Sequence, residues 1–307
     1  MIEIKSPIDL AVEVNYSCNL NCSYCYAYPR SGRNPTTKEV KQILDYAIDK
    51  IKPFELVLSG GEPFLRRDFL DILEYVCKRG NMDIDIVTNG TLISRKIARE
   101  LKNLQKERHF GIQVSLDSHI EEVHNRVRKK YAKTKRGLEY LTDEGVTFII
   151  GTVVHKQNID TLLESIDEFY FLGYKNLHFM NIMPSRQYLH NFDQLKVSNE
   201  ILRDFWRKAL QKVKPYADLV FMHPYIDEDK SLNATLKCNG CLAGTTRAVI
   251  LPNSDFIPCD MTRDYILGNI FTNSWEDIWY SEQAERIRQE NAPLCSLDSK
   301  HEWLEKI

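Results

Sequence analysis

The sequence predicts an α/β chain: a parallel sheet, either a partial barrel or an open sheet, with helices over its faces. Three observations carry that expectation. Strand-like and helix-like segments alternate over about two thirds of the 307 residues. The helical segments between strands are amphipathic, as helices that cover a parallel sheet must be. The composition, 43% hydrophobic and 27% charged, supplies a core and is not that of a disordered chain.

The elements follow in order. "DLAVEV" (9–14) reads as the first strand, and a cysteine-rich loop follows it directly. "TTKEVKQILDYAIDKI" (36–51) has helical periodicity, with Thr36 and Glu39 at capping-box spacing. "FELVLSGGEP" (54–63) is a strand running into a Gly-Gly turn, and 67–80 is the next helix. "MDIDIVTNG" (82–90) alternates as a strand does. A helix (94–106), the strand "FGIQVSLD" (110–117), a basic helical stretch (119–144) and the strand "VTFIIGTVV" (146–154) come next. A helix (160–172), the strand "NLHFMNI" (176–182) and a long helix near 198–213 complete the alternation. Residues 215–237 read as loop. Beyond them, "AVILPNSDFIPC" (248–259) reads as a hairpin turning at "PNSD", and 273–290 as a helix capped by Asn273 or Ser274. The expected organisation is a main unit over 1–215, a linker over 216–237 and a small cysteine-bearing unit over 238–307.

A net charge of −2 gives no global pointer to nucleic acid or membrane. No charged-then-apolar N-terminal segment and no long apolar run is present, so the expectation is a cytosolic protein. In that compartment eight cysteines suggest metal binding or catalysis rather than disulfides. Cys18, Cys22 and Cys25 crowd into "CNLNCSYC". Three thiolates on a [4Fe–4S] cluster leave one iron open to a small molecule. Structural zinc wants four ligands, usually as two close pairs, and fits this spacing poorly.

Cys18-x3-Cys22-x2-Cys25, with Tyr24 before the last thiol, resembles the radical S-adenosylmethionine (SAM) superfamily. "SGGEP" (59–63) at the end of the second strand resembles the family's segment for the SAM amino group. Thr88, Asn89 and Gly90 at the end of the third strand, and Ser115 and Asp117 at the end of the fourth, resemble its later SAM-facing positions. The resemblance implies a partial (β/α)6 TIM-like barrel with its site at the strand C-termini. It also implies a [4Fe–4S] cluster whose open iron is chelated by SAM. One-electron cleavage of SAM would give a 5′-deoxyadenosyl radical that takes a hydrogen atom from an unactivated carbon. Tyr24 would lie near the adenine, Gly60, Gly61, Glu62 and Pro63 along the methionine end, and Ser115 at the ribose or carboxylate. Arg126 falls where relatives place a SAM-contacting basic residue, with a solvated helix charge as its alternative reading.

Cys238-x2-Cys241 and, seventeen residues on, Cys259 form a second metal-like set. With "LGNI…WEDIW" it resembles the C-terminal SPASM or twitch extension of radical SAM enzymes. That implies one auxiliary [4Fe–4S] cluster with Cys295 as fourth ligand. Zinc on the same four thiols is the rival, and a Cys295 left free to donate a hydrogen atom is a third reading. Cys77 reads as core filler.

"RVRKKYAKTKR" (126–136) holds seven basic residues and reads as a solvated helix face, with attraction of an acidic peptide or a phosphate as the alternative. Arg30, Arg33, Arg66 and Arg67 flank the cysteine loop and the Gly-Gly turn, suited to a substrate carboxylate or to the surface. His178 and Met180 end the sixth strand, as core residues or cavity lining.

Relatives with such extensions mostly modify ribosomally made peptides, by crosslink, thioether or epimerisation; others act on a sugar alcohol, a nucleotide or a cofactor precursor. Peptide-modifying relatives often carry an N-terminal peptide-recognition domain. With the first cysteine at position 18, none is expected here, so a separate protein presents the peptide or the substrate is small. The chain ends in "HEWLEKI", without the paired-glycine tail of the molybdopterin-precursor cyclases. The resemblance further implies a flavodoxin- or ferredoxin-type electron donor. A binding module without radical activity is the non-enzymatic alternative, and the intact "SGGEP" and three loop thiols speak against it.

Overall fold

A computed structural model of the chain describes residues 5–28, 30–215, 219–223 and 242–290. Its strands form one ten-stranded open sheet in the order β10-β9-β8-β1-β2-β3-β4-β5-β6-β7. Strands β1 (Asp9–Glu13), β2 (Glu55–Ser59), β3 (Asp83–Thr88), β4 (Gly111–Ser115), β5 (Ile149–Val154) and β6 (Asn176–Asn181) lie side by side in chain order. All five pairings among them are parallel. Helices α1 (Thr37–Tyr46), α2 (Phe69–Arg79), α3 (Arg95–Glu107), α4 (Glu121–Val127), α5 (Tyr131–Asp143) and α6 (Ile159–Phe171) connect them, so the six expected strands stand in the expected alternation.

Alternation along each strand sorts the side chains. Leu10 and Val12, Leu56 and Leu58, Ile84 and Ile86 and Ile112 and Val114 join the core beneath the helices. The opposite face carries Ala11, Val57, Val249 and Ile257, packed as a separate small cluster. Helix α1 starts as its sequence predicts: the Thr36 hydroxyl accepts the Glu39 N–H, and the Glu39 carboxylate accepts the Thr36 N–H at 2.7 Å.

Four features differ from the sequence expectation. The basic stretch 119–144 is two helices, α4 and α5, broken where Lys129 (φ 68°) and Lys130 (φ 57°) both adopt left-handed backbone. Residues 189–195 form a short helix, α7, before α8 (Asn199–Val213). The stretch read as loop contains β7 (Leu219–His223), which adds a parallel strand beside β6. The helix expected over 273–290 is two, α9 (Trp275–Trp279) and α10 (Glu282–Glu290).

The expected hairpin forms from β8 (Arg247–Ile250) and β9 (Asp255–Ile257), with β10 (Gly268–Asn269) beside β9. Its placement extends the main sheet: β8 pairs in parallel with β1, Asp9 opposite Arg247 and Val12 opposite Ile250. Arg247 bonds Asp9 at 3.1 Å and Asp260 at 2.9 Å, tying the turn after β9 to the start of β1. At the other end of β1, Glu13, 1% exposed, forms a two-pronged ion pair with Arg263. Among the described residues no helix is long and apolar enough to cross a membrane.

Candidate active site

The loop after β1 carries Cys18, Cys22 and Cys25, all free thiols and all partly exposed. It is held from several sides at the C-terminal ends of the strands. From β2, the Gly61 N–H donates to Asn15 O at 2.9 Å and the Glu62 N–H to Ser17 O at 2.8 Å. The two glycines permit this approach: a Cβ on Gly60 would lie 2.6 Å from Asn15 O, and one on Gly61 only 2.1 Å from Ser17 O. Gly60 also has φ +137°, a region that side chains disfavour. The close approach here is to the cysteine loop's own backbone.

Glu62 turns inward. It is 1% exposed, and its carboxylate accepts the Thr88 hydroxyl at 2.7 Å, the Asn89 N–H at 2.8 Å and the Phe64 N–H at 3.2 Å. Burial pushes it up to about 6 against those three bonds. Pro63 follows as the first residue of a 3-10 turn, where its missing N–H costs nothing. From β3, Asn89 Nδ2 reaches Asn19 Oδ1 at 2.9 Å and Cys18 Sγ at 3.8 Å. Thus Glu62, Thr88 and Asn89 form one clamp behind the first thiol.

A second clasp holds the loop at Tyr24. The Tyr24 hydroxyl donates to Asp117, beyond β4, and the Arg128 guanidinium lies 5.1 Å from the Tyr24 ring centre. Arg128 Nε also bonds Asp117 at 2.9 Å, and the His155 ring sits 5.7 Å from that of Tyr24. Asp117 is fully buried, which alone would raise it, yet Arg128 and then His155 hold it below the usual carboxylate range. Burial lowers His124 to about 4, and this neutral ring accepts the Asp117 N–H on Nδ1 at 3.3 Å. Ser115 is buried at the end of β4, in register with Gly151.

The remaining arginines divide by partner. Arg126, expected at the SAM site, is exposed on α4; the guanidinium that reaches the loop belongs to Arg128, two residues on, because α4 turns Arg126 outward. Arg66 bonds Val14 O at 3.1 Å, Pro35 O at 2.7 Å and Asp68, and Arg33 pairs with Glu39, so both serve the scaffold. Arg30 donates to Leu20 O and, through Nη2, to Cys25 Sγ at 3.1 Å. His178 Nδ1 meets Gln113 Oε1 at 2.6 Å on the sheet face away from the helices. Cys77 packs against the core, where burial pushes its thiol up to about 11.

In the second cysteine set, Cys259 follows β9 and packs partly buried against the core. Cys238, Cys241 and Cys295 lie outside the described residues.

A family model described as "Radical SAM superfamily" matches residues 12–169, more than half of the chain. The chain belongs to the radical SAM superfamily. A second model, SPASM, described as "Iron-sulfur cluster-binding domain", matches residues 241–298. The chain is 27% identical over 303 residues to the antilisterial bacteriocin subtilosin biosynthesis protein AlbA of Bacillus subtilis (strain 168). That match covers 96% of this chain but 64% of AlbA, so the chain spans less than two thirds of that relative. It is 30% identical to a probable GTP 3′,8-cyclase of Methanococcus aeolicus, over 90% of this chain and 92% of the cyclase. In structure it resembles Streptococcus suis SuiB bound to its precursor peptide SuiA, with TM-score 0.76 and 20% identity, over 93% of this chain and 67% of SuiB. That likeness is one of fold.

This radical SAM enzyme therefore uses a [4Fe–4S] cluster and S-adenosylmethionine, with auxiliary iron–sulfur in its SPASM region. The residues fit those groups. Three free thiols, Cys18, Cys22 and Cys25, share one short loop, and a cubane takes each thiolate on a separate iron. Burial pushes the Cys22 thiol up to about 11, so a metal bound there would displace its proton. Beside them, Asn15 Oδ1 and Ser59 Oγ are buried with no hydrogen-bond partner, two polar atoms suited to a polar ligand at the heads of β1 and β2.

Proposed function

We propose that this chain modifies a ribosomally made peptide by hydrogen-atom abstraction. The observation that carries the reading is the attachment of the SPASM hairpin to β1, the strand that presents the three thiols. A second iron–sulfur segment built against the first frames a substrate between them. The precursor peptide in the SuiB structure and the bacteriocin role in AlbA's name support a peptide as that substrate.

When bound, the cluster and SAM supply one-electron cleavage and a carbon-centred radical; the chain supplies position and exclusion of water. Cys18, Cys22 and Cys25 hold the cluster. Gly60, Gly61, Glu62 and Pro63 fix the loop that meets the methionine end, with Thr88 and Asn89 behind it. Tyr24, Asp117 and Arg128 hold the loop's far turn, and Ser115 faces the ribose or carboxylate. Cys238, Cys241, Cys259 and Cys295 hold one auxiliary cluster. A flavodoxin- or ferredoxin-type protein supplies the electron.

The test is anaerobic reconstitution with dithionite and SAM, followed by incubation with short peptides encoded beside the gene. Formation of 5′-deoxyadenosine together with a mass change in a peptide is the expected result. 5′-Deoxyadenosine with no altered peptide would overturn the substrate reading, and its absence would overturn radical chemistry altogether. Cys295→Ala decides the fourth auxiliary ligand. Loss of the auxiliary signal assigns a ligand, whereas a retained signal with lost turnover assigns a hydrogen donor. The match to a probable GTP 3′,8-cyclase along 92% of its length favours a second reading, a small-molecule substrate. Incubation with GTP under the same conditions tests it, a cyclised nucleotide being the positive result.

A further inference from the structure

We propose that the junction of α4 and α5 is the docking surface for an acidic one-electron donor protein. The proposal rests on the radical SAM reading and locates a partner for that site. Arg126, Lys129, Lys130, Lys133 and Arg136 are exposed there, with Lys135 half-buried beside them. Several exposed cations elsewhere are paired: Arg95 with Asp143 and Glu144, Arg99 with Glu144, Lys78 with Glu74, Lys208 with Asp204. Among the described residues none of the six at the junction takes part in an ion pair. Acids do lie at pairing spacings on the two helices, Glu122 four residues before Arg126 and Glu139 four after Lys135, yet among the described residues neither reaches these cations as an ion pair.

Such a cluster is costly to keep. Lys133 and Arg136, both within α5, stand at the three-residue spacing that brings like charges together. Lys129 and Lys130 also hold left-handed backbone in succession, which side-chain-bearing residues disfavour. Strain of this kind concentrates where function requires it.

The patch adjoins the cysteine loop directly. Lys130 Nζ donates to Asn19 O at 2.8 Å, and the Ser23 N–H donates to Val127 O at 3.0 Å. Asn19 lies between Cys18 and Cys22, and Ser23 between Cys22 and Cys25; Asn21, on the same loop, is exposed. A protein seated on these cations therefore comes up against the loop that holds the cluster. The step transfers one electron: the donor's reduced flavin or iron–sulfur centre is oxidised by one electron and the cluster reduced by one, with no bond or proton exchanged. Redox partners make small, transient interfaces, and opposite charge raises their encounter rate.

The experiment uses the reconstituted full chain, a reduced acidic flavodoxin as probe, and the variant K129E/K133E/R136E. Stopped-flow reduction of the cluster at low ionic strength should slow by about tenfold or more in the variant, the lower part of the range that steering covers. The difference should vanish at high salt. Excess dithionite should reduce the cluster to the same extent in both proteins. Equal flavodoxin rates at low salt would overturn the proposal. So would a variant reduced at the wild-type rate that binds an acidic peptide less well, which assigns the patch to substrate. The wild type alone gives a further test, independent of whether the variant folds: its rate must fall as salt rises, and a flat or rising dependence overturns the proposal. If the wild type makes no 5′-deoxyadenosine with excess dithionite, the radical SAM reading fails and the proposal with it. Intact cleavage with charge-blind reduction removes the docking surface alone.

Discussion

At the scale of single residues, Arg30 and Glu62 make the sharpest tests. Arg30 donates to Cys25 Sγ at 3.1 Å, so a fixed positive charge and an N–H face the thiol proposed as a cluster ligand. Hydrogen bonds and charge at the sulfurs set cluster potentials. Arg30→Met is expected to move the midpoint potential of the loop cluster to more negative values, with Arg30→Lys intermediate; an EPR-monitored redox titration reads the shift. Glu62 is a carboxyl raised by burial from 4.5 to about 6. Between those values the folded state binds the proton that the unfolded state has released, so stability grows as pH falls through that window. Glu62→Gln cannot titrate, and its amide would turn N–H groups toward the donors of Thr88, Asn89 or Phe64. The variant should therefore be less stable at every pH, by ~1–3 kcal/mol near neutrality. Its deficit should widen by about 1 kcal/mol from pH 7 to pH 5, where only the wild type gains a proton. Urea unfolding at the two pH values measures both effects, and a deficit that narrows toward acid would refute the assignment.

At the scale of elements, the β1 loop and the Gly-Gly turn form a single docked pair. Gly61→Ala would drive a Cβ to 2.1 Å from Ser17 O, a backbone atom that cannot swing aside. A loss of roughly 1–3 kcal/mol, the usual cost of overpacking, is expected, together with reduced iron loading on the amino-terminal cysteines. Calorimetry and iron analysis of a Cys259→Ala background separate that loss from the auxiliary site. The cysteines and "SGGEP" were legible in the sequence because their chemistry lies on one short loop each. Arg128 and His155 were not, because they reach Tyr24 from α4 and β5, and which residue of a helix turns inward depends on packing. The break between α4 and α5 was equally hidden: lysines are good helix formers, and no glycine or proline marks the bend. The strand β7 escaped notice because its surroundings carry no clear alternation, whereas the strands with strict apolar periods were found within a residue or two.

At the scale of the molecule, the second cysteine-bearing segment is continuous with the first through the β1–β8 ladder and the Glu13–Arg263 pair. Burial raises Glu13 while Arg263 opposes it. Arg263→Met would leave that carboxylate alone in the interior, a change that costs about 3–5 kcal/mol for a buried pair. The expected outcome is a clear drop in melting temperature, smaller in acid, where Glu13 takes up a proton, together with earlier proteolytic release of the 242–290 segment. Unchanged melting at neutral pH would show that the pair does not join the two parts. The ladder has a consequence for selectivity. A jaw that shuts on its guest needs a hinge, and hydrogen-bonded neighbours in one sheet offer none between the three thiols and Cys259. A substrate held between the two cysteine segments would then be selected by its fit to a fixed spacing, and not by swinging one half of the protein onto the other.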